Sequence, residues 1–187
     1  MKVLGISGSL RKGSWNTSVL RAAQSLAPAG MTIEIGSIAD IPLYNEDVRT
    51  TGLPASVERF RNQIAAANAV LLVSPEYNFS IPGVLKNAID WASRPPNQPF
   101  NDKPVAIMGA SGGPVGTARM QYDLRKSLGS INALVMLKPE VFIGQAGTKI
   151  DDAGNLTDET TKDFIRKLLE ALAAWTKRMR STAPQSG

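Results

Sequence analysis

Residues 5–18, Gly-Ile-Ser-Gly-Ser-Leu-Arg-Lys-Gly-Ser-Trp-Asn-Thr-Ser, set hydroxyls, glycines and one arginine between an apolar run and a helix start. A loop of that composition turns backbone N–H groups and the positive end of a helix dipole toward one point, which suits an anion. Ser9, Arg11, Ser14, Asn16 and Thr17 can add side-chain donors. The guest such a cradle favours is a terminal phosphate monoester. Gly8 to Ser14 keeps the glycine spacing of a P-loop but has Ser14 where the phosphate-reaching lysine is required, which argues against ATP hydrolysis. Gly5 and Gly8 do not make G-x-G-x-x-G, and no acidic residue stands where an adenosine ribose would be held, which argues against Rossmann-type dinucleotide binding.

Two further loops have chemical character. Residues 74–91 open with Ser-Pro-Glu-Tyr-Asn-Phe-Ser-Ile-Pro-Gly, too aromatic and too polar for a plain connection. Glu76, Tyr77, Asn78 and Phe79 can offer backbone groups to the edge of a flat heterocycle and apolar contact to its face, with Pro75 and Pro82 stiffening the loop. Tyr77 and Phe79 suit capping of a core equally well. Lys86, Asp90 and Trp91 read as packing or helix-surface residues. Residues 110–117, Ala-Ser-Gly-Gly-Pro-Val-Gly-Thr, form a hydroxyl- and glycine-rich turn in which Ser111, Gly112 and Gly113 expose backbone amides.

The 187 residues include neither cysteine nor histidine. Disulfides, thiolate metal sites, redox-active thiols, Ser-His-Asp and Cys-His catalysis and most zinc and non-haem iron sites are thereby excluded, so no metal site is expected. Carboxylates, Lys, Tyr, hydroxyls and backbone dipoles remain. An enzyme so equipped draws its reaction from a cofactor. The net charge of +5, with Lys162, Arg166, Lys167, Lys177, Arg178 and Arg180 near the C-terminal end, attracts anionic small molecules. These cations alternate with a helical apolar stripe and read as a solvated face, so no nucleic-acid partner is expected. Without a leader-like N-terminus or an apolar run of bilayer length, a soluble cytoplasmic protein with no membrane partner is expected.

Apolar strand-like runs recur at 2–7, 31–36, 69–74, 104–109 and 132–137, with helical periodicity between them. Residues 55–67 place Val57, Phe60, Ile64 and Ala67 on one stripe behind Pro54, and 81–92 do so with Ile81, Val84, Leu85, Ala88, Ile89 and Ala92. The last helix, with Thr157 as N-cap and Asp158 and Glu159 in its first turn, is expected to bury Phe164, Ile165, Leu168, Leu169, Leu172 and Trp175. A frayed tail is expected at 181–187. Runs 69–73 and 105–108 are apolar at every position, the pattern of strands covered on both faces of a parallel sheet. The order implies an α/β fold, one domain over 1–187, with a doubly wound sheet and helices on both faces. Ligands of such sheets lie beyond the carboxyl ends of the strands, where all three loops fall. A cradle, a wall and a clamp on one edge suit the monophosphate, ribityl chain and tricyclic ring of FMN.

The chain resembles the flavodoxin-like NAD(P)H-dependent FMN reductases, and within them the bacterial chromate and quinone reductase group. The resemblance rests on residues 8–16, 39–44, 75–83, 85–91 and 118–122 and covers all but the tail. It implies a five-stranded sheet in the order 2-1-3-4-5. It also implies FMN bound by Ser9, Leu10, Arg11, Ser14, Asn16 and Thr17 at the phosphate and by Pro75, Glu76, Tyr77, Asn78, Phe79, Ser111, Gly112 and Gly113 at the ring. A homodimer or homotetramer whose subunits help wall the flavin is implied as well. In that group the aromatic at position 79 is often tyrosine; Phe79 lacks the hydroxyl and any bond it would make between subunits. By the same analogy Arg119, Tyr122 and Glu140 form an interface or flavin-adjacent polar network, a role that ordinary surface residues would equally explain.

The expected reaction is ping-pong. NADPH or NADH gives a hydride to flavin N5, then a quinone, chromate, free flavin or azo compound takes the electrons in the same place. No side chain is required as a catalytic acid or base, and amides of the Ser111 to Gly113 loop are expected to stabilise the reduced N1/O2 edge. The competing reading is a flavodoxin-type one-electron carrier that binds FMN without oxidising a nicotinamide. Such carriers are strongly acidic, whereas this chain is basic, which suits an anionic phosphorylated nicotinamide.

Overall fold

A computed structural model describes residues 1–182. Its elements run β1 (Lys2–Ser7), α1 (Trp15–Ser25), β2 (Thr32–Gly36), α2 (Glu46–Thr51), α3 (Ala55–Ala66), β3 (Ala69–Val73), α4 (Gly83–Ala92), β4 (Pro104–Ala110), α5 (Ala118–Gly129), β5 (Leu134–Val135), β6 (Val141–Ile143) and α6 (Glu159–Thr182), with a 3-10 turn at Ala146–Thr148. All strands pair in parallel, in the order β2-β1-β3-β4-β5, with β6 also against β4. This is the expected 2-1-3-4-5 order of a flavodoxin-like fold. The fifth position differs from the single strand expected at 132–137. There β5 pairs with Pro104 and Val105, Met136 donates a last bond to the Val105 carbonyl at 2.8 Å, the chain leaves the ladder over 137–140, and β6 returns beside Met108 to Ala110. Pro139, within the gap, has no N–H to give a ladder.

The central strands have apolar residues at every position because alternate residues enter two cores. Leu71 and Val73 of β3 and Ala106 and Met108 of β4 pack against Val19, Leu20 and Ala23 of α1 and Ile165, Leu168, Leu169 and Leu172 of α6. Val70, Leu72, Val105 and Ile107 point the other way, onto Phe60 and Ile64 of α3, Leu85 and Ala88 of α4, and Met120 and Leu124 of α5. Helices therefore cover both faces, as expected.

Some local expectations are corrected. The α4 helix starts at Gly83, so Ile81 packs on the core from the loop before it. Asp158, not Thr157, caps α6: its carboxylate accepts from the Thr161 N–H at 2.8 Å, while the Thr157 N–H and hydroxyl go to the Lys149 carbonyl. Phe164 is exposed, since one residue's step of about 100° turns it away from buried Ile165. Trp175 is half-buried and donates from Nε1 to the Leu134 carbonyl at 2.8 Å. Ser181 and Thr182 belong to α6, not to a tail, and 183–187 lie outside the described residues. Among the described residues no helix is long and apolar enough to cross a membrane.

Candidate functional site

The three loops leave adjacent strands on one edge of the sheet. Gly8 donates its N–H to the Val73 carbonyl at 2.9 Å and Ser74 donates to the Met108 carbonyl at 3.1 Å. A Cβ on Gly8 would sit 2.3 Å from Ser74 Oγ, and one on Gly109 would sit 2.1 Å from the Ser74 carbonyl oxygen. Only glycine lets the strand ends approach this closely.

Ser14 caps α1 by accepting from the Thr17 N–H at 3.4 Å, and Ser9 Oγ accepts from the Arg11 N–H at 3.4 Å. The Thr17 and Ser7 hydroxyls are hydrogen-bonded at 3.0 Å. The N–H groups of Leu10, Lys12, Gly13, Trp15 and Asn16 have no acceptor among the described residues. Arg11 is exposed, lies 5.6 Å from the centre of the Trp15 ring, and has no carboxylate partner among the described residues. Polar hydrogens thus gather at the positive end of α1. Asn16 departs from its expected side-chain role. It is 3 % exposed, donates from Nδ2 to the Ala110 carbonyl at 2.9 Å and accepts at Oδ1 from the Ala110 N–H at 2.8 Å.

The second loop turns back on itself. Tyr77 and Ser80 exchange backbone hydrogen bonds of 3.1 and 3.0 Å, leaving Asn78 and Phe79 as the central pair with φ of 50° and 66°. Both positions require left-handed backbone, which asparagine adopts readily and phenylalanine only at a cost of about 1–2 kcal/mol. The Glu76 side chain is an anchor, which leaves only its main chain to face a ligand. Its carboxylate, 6 % exposed, accepts from the Met120 N–H in the first turn of α5 at 3.1 Å and from Arg119 Nε at 2.6 Å. Ser80 adds a bond to Asp123 of α5 at 2.7 Å. The Phe79 ring, in a residue 66 % exposed, carries the Arg119 guanidinium 3.9 Å from its centre.

In the third loop Ser111 is already engaged, which narrows its expected role. Its N–H goes to the Ile143 carbonyl at 2.9 Å and its hydroxyl to the Gly116 carbonyl at 2.8 Å. The segment after β6 pins the loop from behind, Ala146 donating to the Ser111 carbonyl and Gln145 to that of Gly113, each at 3.0 Å. The Gly112 and Gly113 amides have no acceptor among the described residues. Between wall and clamp lies a cleft of about 360 Å³ lined by Asn78, Phe79, Ser111, Gly113, Val115 and Arg119, among others. A larger hollow of about 550 Å³ lies at the amino end of β1, beside Met1 and Met31, away from every loop described.

Sequence reading missed Pro114, Val115 and Gly116 as cleft residues, whereas Arg119, which it offered for an interface or flavin-adjacent network, does line the cleft. It also missed Trp15, whose ring lies 3.3 Å from where a Gly112 Cβ would be and 3.4 Å from that of Gly147. The one signal for Trp15 was a large aromatic inside a loop of small polar residues. The structure splits the expected Arg119, Tyr122 and Glu140 network in two. Arg119 belongs to Glu76 and Phe79, while Glu140 pairs with Lys138 and bonds Tyr122, contacts that hold its carboxyl below the ordinary range despite partial burial.

Comparison with known proteins agrees with this geometry. Residues 1–148 match the family model of NADPH-dependent FMN reductases. The chain is 55% identical over 180 residues to an NAD(P)H-dependent FMN reductase of Pseudomonas aeruginosa, covering 96% of this chain and 97% of that one. It is 46% identical over 183 residues to a quinone reductase of Escherichia coli K12, with 96% and 97% covered. Among solved structures it superimposes on a flavoenzyme NAD(P)H:(acceptor) oxidoreductase of Paracoccus denitrificans with a TM-score of 0.86 at 37% identity, covering 95% of this chain and 98% of that one.

Proposed function

Because the chain belongs to the NADPH-dependent FMN reductase family, we propose that its three strand-end loops form the FMN site and that it carries electrons from NAD(P)H to a quinone. It is an oxidoreductase that uses FMN with NAD(P)H as co-substrate. The redox chemistry, two electrons accepted from a nicotinamide and passed on, is what FMN supplies when bound. The residues present fit that group. The observation that carries the reading is the set of N–H groups at Leu10, Lys12, Gly13, Trp15 and Asn16 with no acceptor among the described residues, beside Arg11, exposed and without a carboxylate partner among them, a donor set that suits a dianionic phosphate. Ser9 and Ser14 accept from the backbone and so keep their hydroxyl hydrogens free to donate; the Thr17 hydroxyl lies beside them.

At the ring end, the main chain of Pro75, Glu76, Tyr77, Asn78 and Phe79 supplies one wall. The Gly112 and Gly113 amides supply donors for developing negative charge; Ser111 takes no part in this through its own N–H, which is already bonded. Phe79 offers an exposed flat face, backed by the Arg119 cation, against which a planar acceptor can pack. That feature and the quinone reductase relatives support a quinone; chromate, free flavin and azo compounds are further acceptors of the proposal. We also propose a single FMN-binding unit over the chain, a cytoplasmic location where NAD(P)H is available, and assembly into a dimer or tetramer. Exposed Val115, Tyr122 and Leu137 support the assembly.

The test is anaerobic stopped-flow absorbance of the FMN-reconstituted protein mixed with NADPH and then with a benzoquinone. Bleaching of the flavin band followed by its return on adding quinone is the expected result. A bound flavin that NADPH does not bleach would overturn the reductase reading in favour of an electron carrier.

A further inference from the structure

The Asn16 side chain is planar, buried and hydrogen-bonded in both directions to the backbone of one residue, Ala110. Ala110 lies at the end of β4, paired on its other side with Ile143, and the clamp begins at the next residue. Asn16 therefore acts as a one-residue strand neighbour, tying the first turn of α1, which forms the phosphate cradle, to the root of the amide clamp. A second contact runs parallel to it. The Trp15 ring lies against Gly112 of the clamp and Gly147 of the turn behind it, and Arg11 lies over that ring at 5.6 Å. Movement of Trp15 and Asn16 is passed to residues 110–112 through the two Asn16–Ala110 hydrogen bonds and the Trp15–Gly112 contact, since buried Asn16 and Ala110 have no room to part without breaking those bonds.

We propose that Asn16, assisted by Trp15, is a positioning residue that couples the two halves of the flavin site, so that an anion in the cradle sets the clamp for the ring. The proposal rests on the FMN reading above. Ordering of the cradle by phosphate raises affinity for the ring portion, and by linkage the ring portion raises affinity for phosphate by the same factor. Asn16 does this without its side-chain oxygen touching the ligand.

The experiment uses full-length protein freed of FMN and titrated with riboflavin, which lacks the phosphate, following quenching of flavin fluorescence with and without saturating inorganic phosphate. In the natural protein phosphate is expected to tighten riboflavin binding by at least about fivefold, the low end of ordinary site coupling. In Asn16→Leu, checked for folding by circular dichroism, that ratio falls to one, whatever change the variant makes in riboflavin affinity without phosphate. Asn16→Asp is a second variant of nearly equal volume; it keeps an acceptor for the Ala110 N–H but opposes the Ala110 carbonyl, and is expected to lose the coupling too. Unaltered riboflavin binding with phosphate in the natural protein, or full coupling in either folded variant, overturns the proposal. FMN titration of the same sample separates the two readings: FMN that binds where phosphate has no effect on riboflavin refutes the link alone, and failure to bind FMN refutes the flavin site with it.

Discussion

On the proposed function, Arg11 serves the phosphate and Phe79 the acceptor. Arg11 places an exposed cation, with no carboxylate partner among the described residues, beside the cradle's unpaired amides, so Arg11→Ala should weaken FMN by about 1.5–3 kcal/mol, the worth of a charge-assisted bond. Fluorescence titration with FMN checks this, and unchanged affinity would remove Arg11 from the phosphate site. Phe79→Ala removes the exposed ring that carries Arg119 and leaves the cradle residues unchanged. It should change acceptor KM in steady-state assays while FMN affinity moves far less than in Arg11→Ala; an equal loss of FMN would refute the division. Residue type was enough to propose Arg11, whose charge suits an anion and which the structure leaves exposed. It was not enough for Glu76 and Asn16, whose side chains bond to backbone groups 44 and 94 residues away along the chain.

At the scale of elements, the loops work because the strands between them are held without tolerance. Gly109→Ala should destabilise by about 1–3 kcal/mol, and by more if β4 cannot shift, because the new Cβ would meet the Ser74 carbonyl, which is backbone. Urea unfolding measures it, and a neutral result would show that β3 and β4 can separate. The Tyr44 to Arg49 segment offers a pH test. Arg49, then the Tyr44 hydroxyl, holds the Glu46 carboxyl down to about 2 from 4.5. A depressed folded value means that this contribution is present above pH 4.5 and is lost as pH falls toward 2. Glu46→Gln should therefore flatten slightly the loss of stability across that window, since the group is at the surface; acid titration of urea midpoints for both proteins decides it. Strand and helix identities were legible because a period of two or 3.6 is a local property. The break between β5 and β6 was not, because it depends on which stretch of the edge the longer β4 leaves open.

The whole molecule carries a net charge of +5, which on the proposed reading attracts an anionic reductant. Long-range attraction is screened over about 10 Å at 0.1 M salt, so kcat/KM for NADPH should fall several-fold from low to 0.2 M salt; a flat dependence would rule out steering. The amino-acid sequence alone determined the class of protein: no cysteine or histidine, five apolar runs alternating with amphipathic helices, and three loops of glycine, hydroxyl and aromatic residues leaving the strands. Composition, periodicity and turn chemistry act over a few residues, so they can be read in a line. Tertiary structure decided which donors remain available. The side chains of Asn16 and Glu76 and the N–H of Ser111 look available in the chain but are bonded to distant backbone, while the N–H groups of Gly112, Gly113, Leu10, Lys12, Gly13, Trp15 and Asn16 have no acceptor among the described residues. Hydrogen-bonding groups on one buried edge compete for the same partners, and only their positions in space say which are left over.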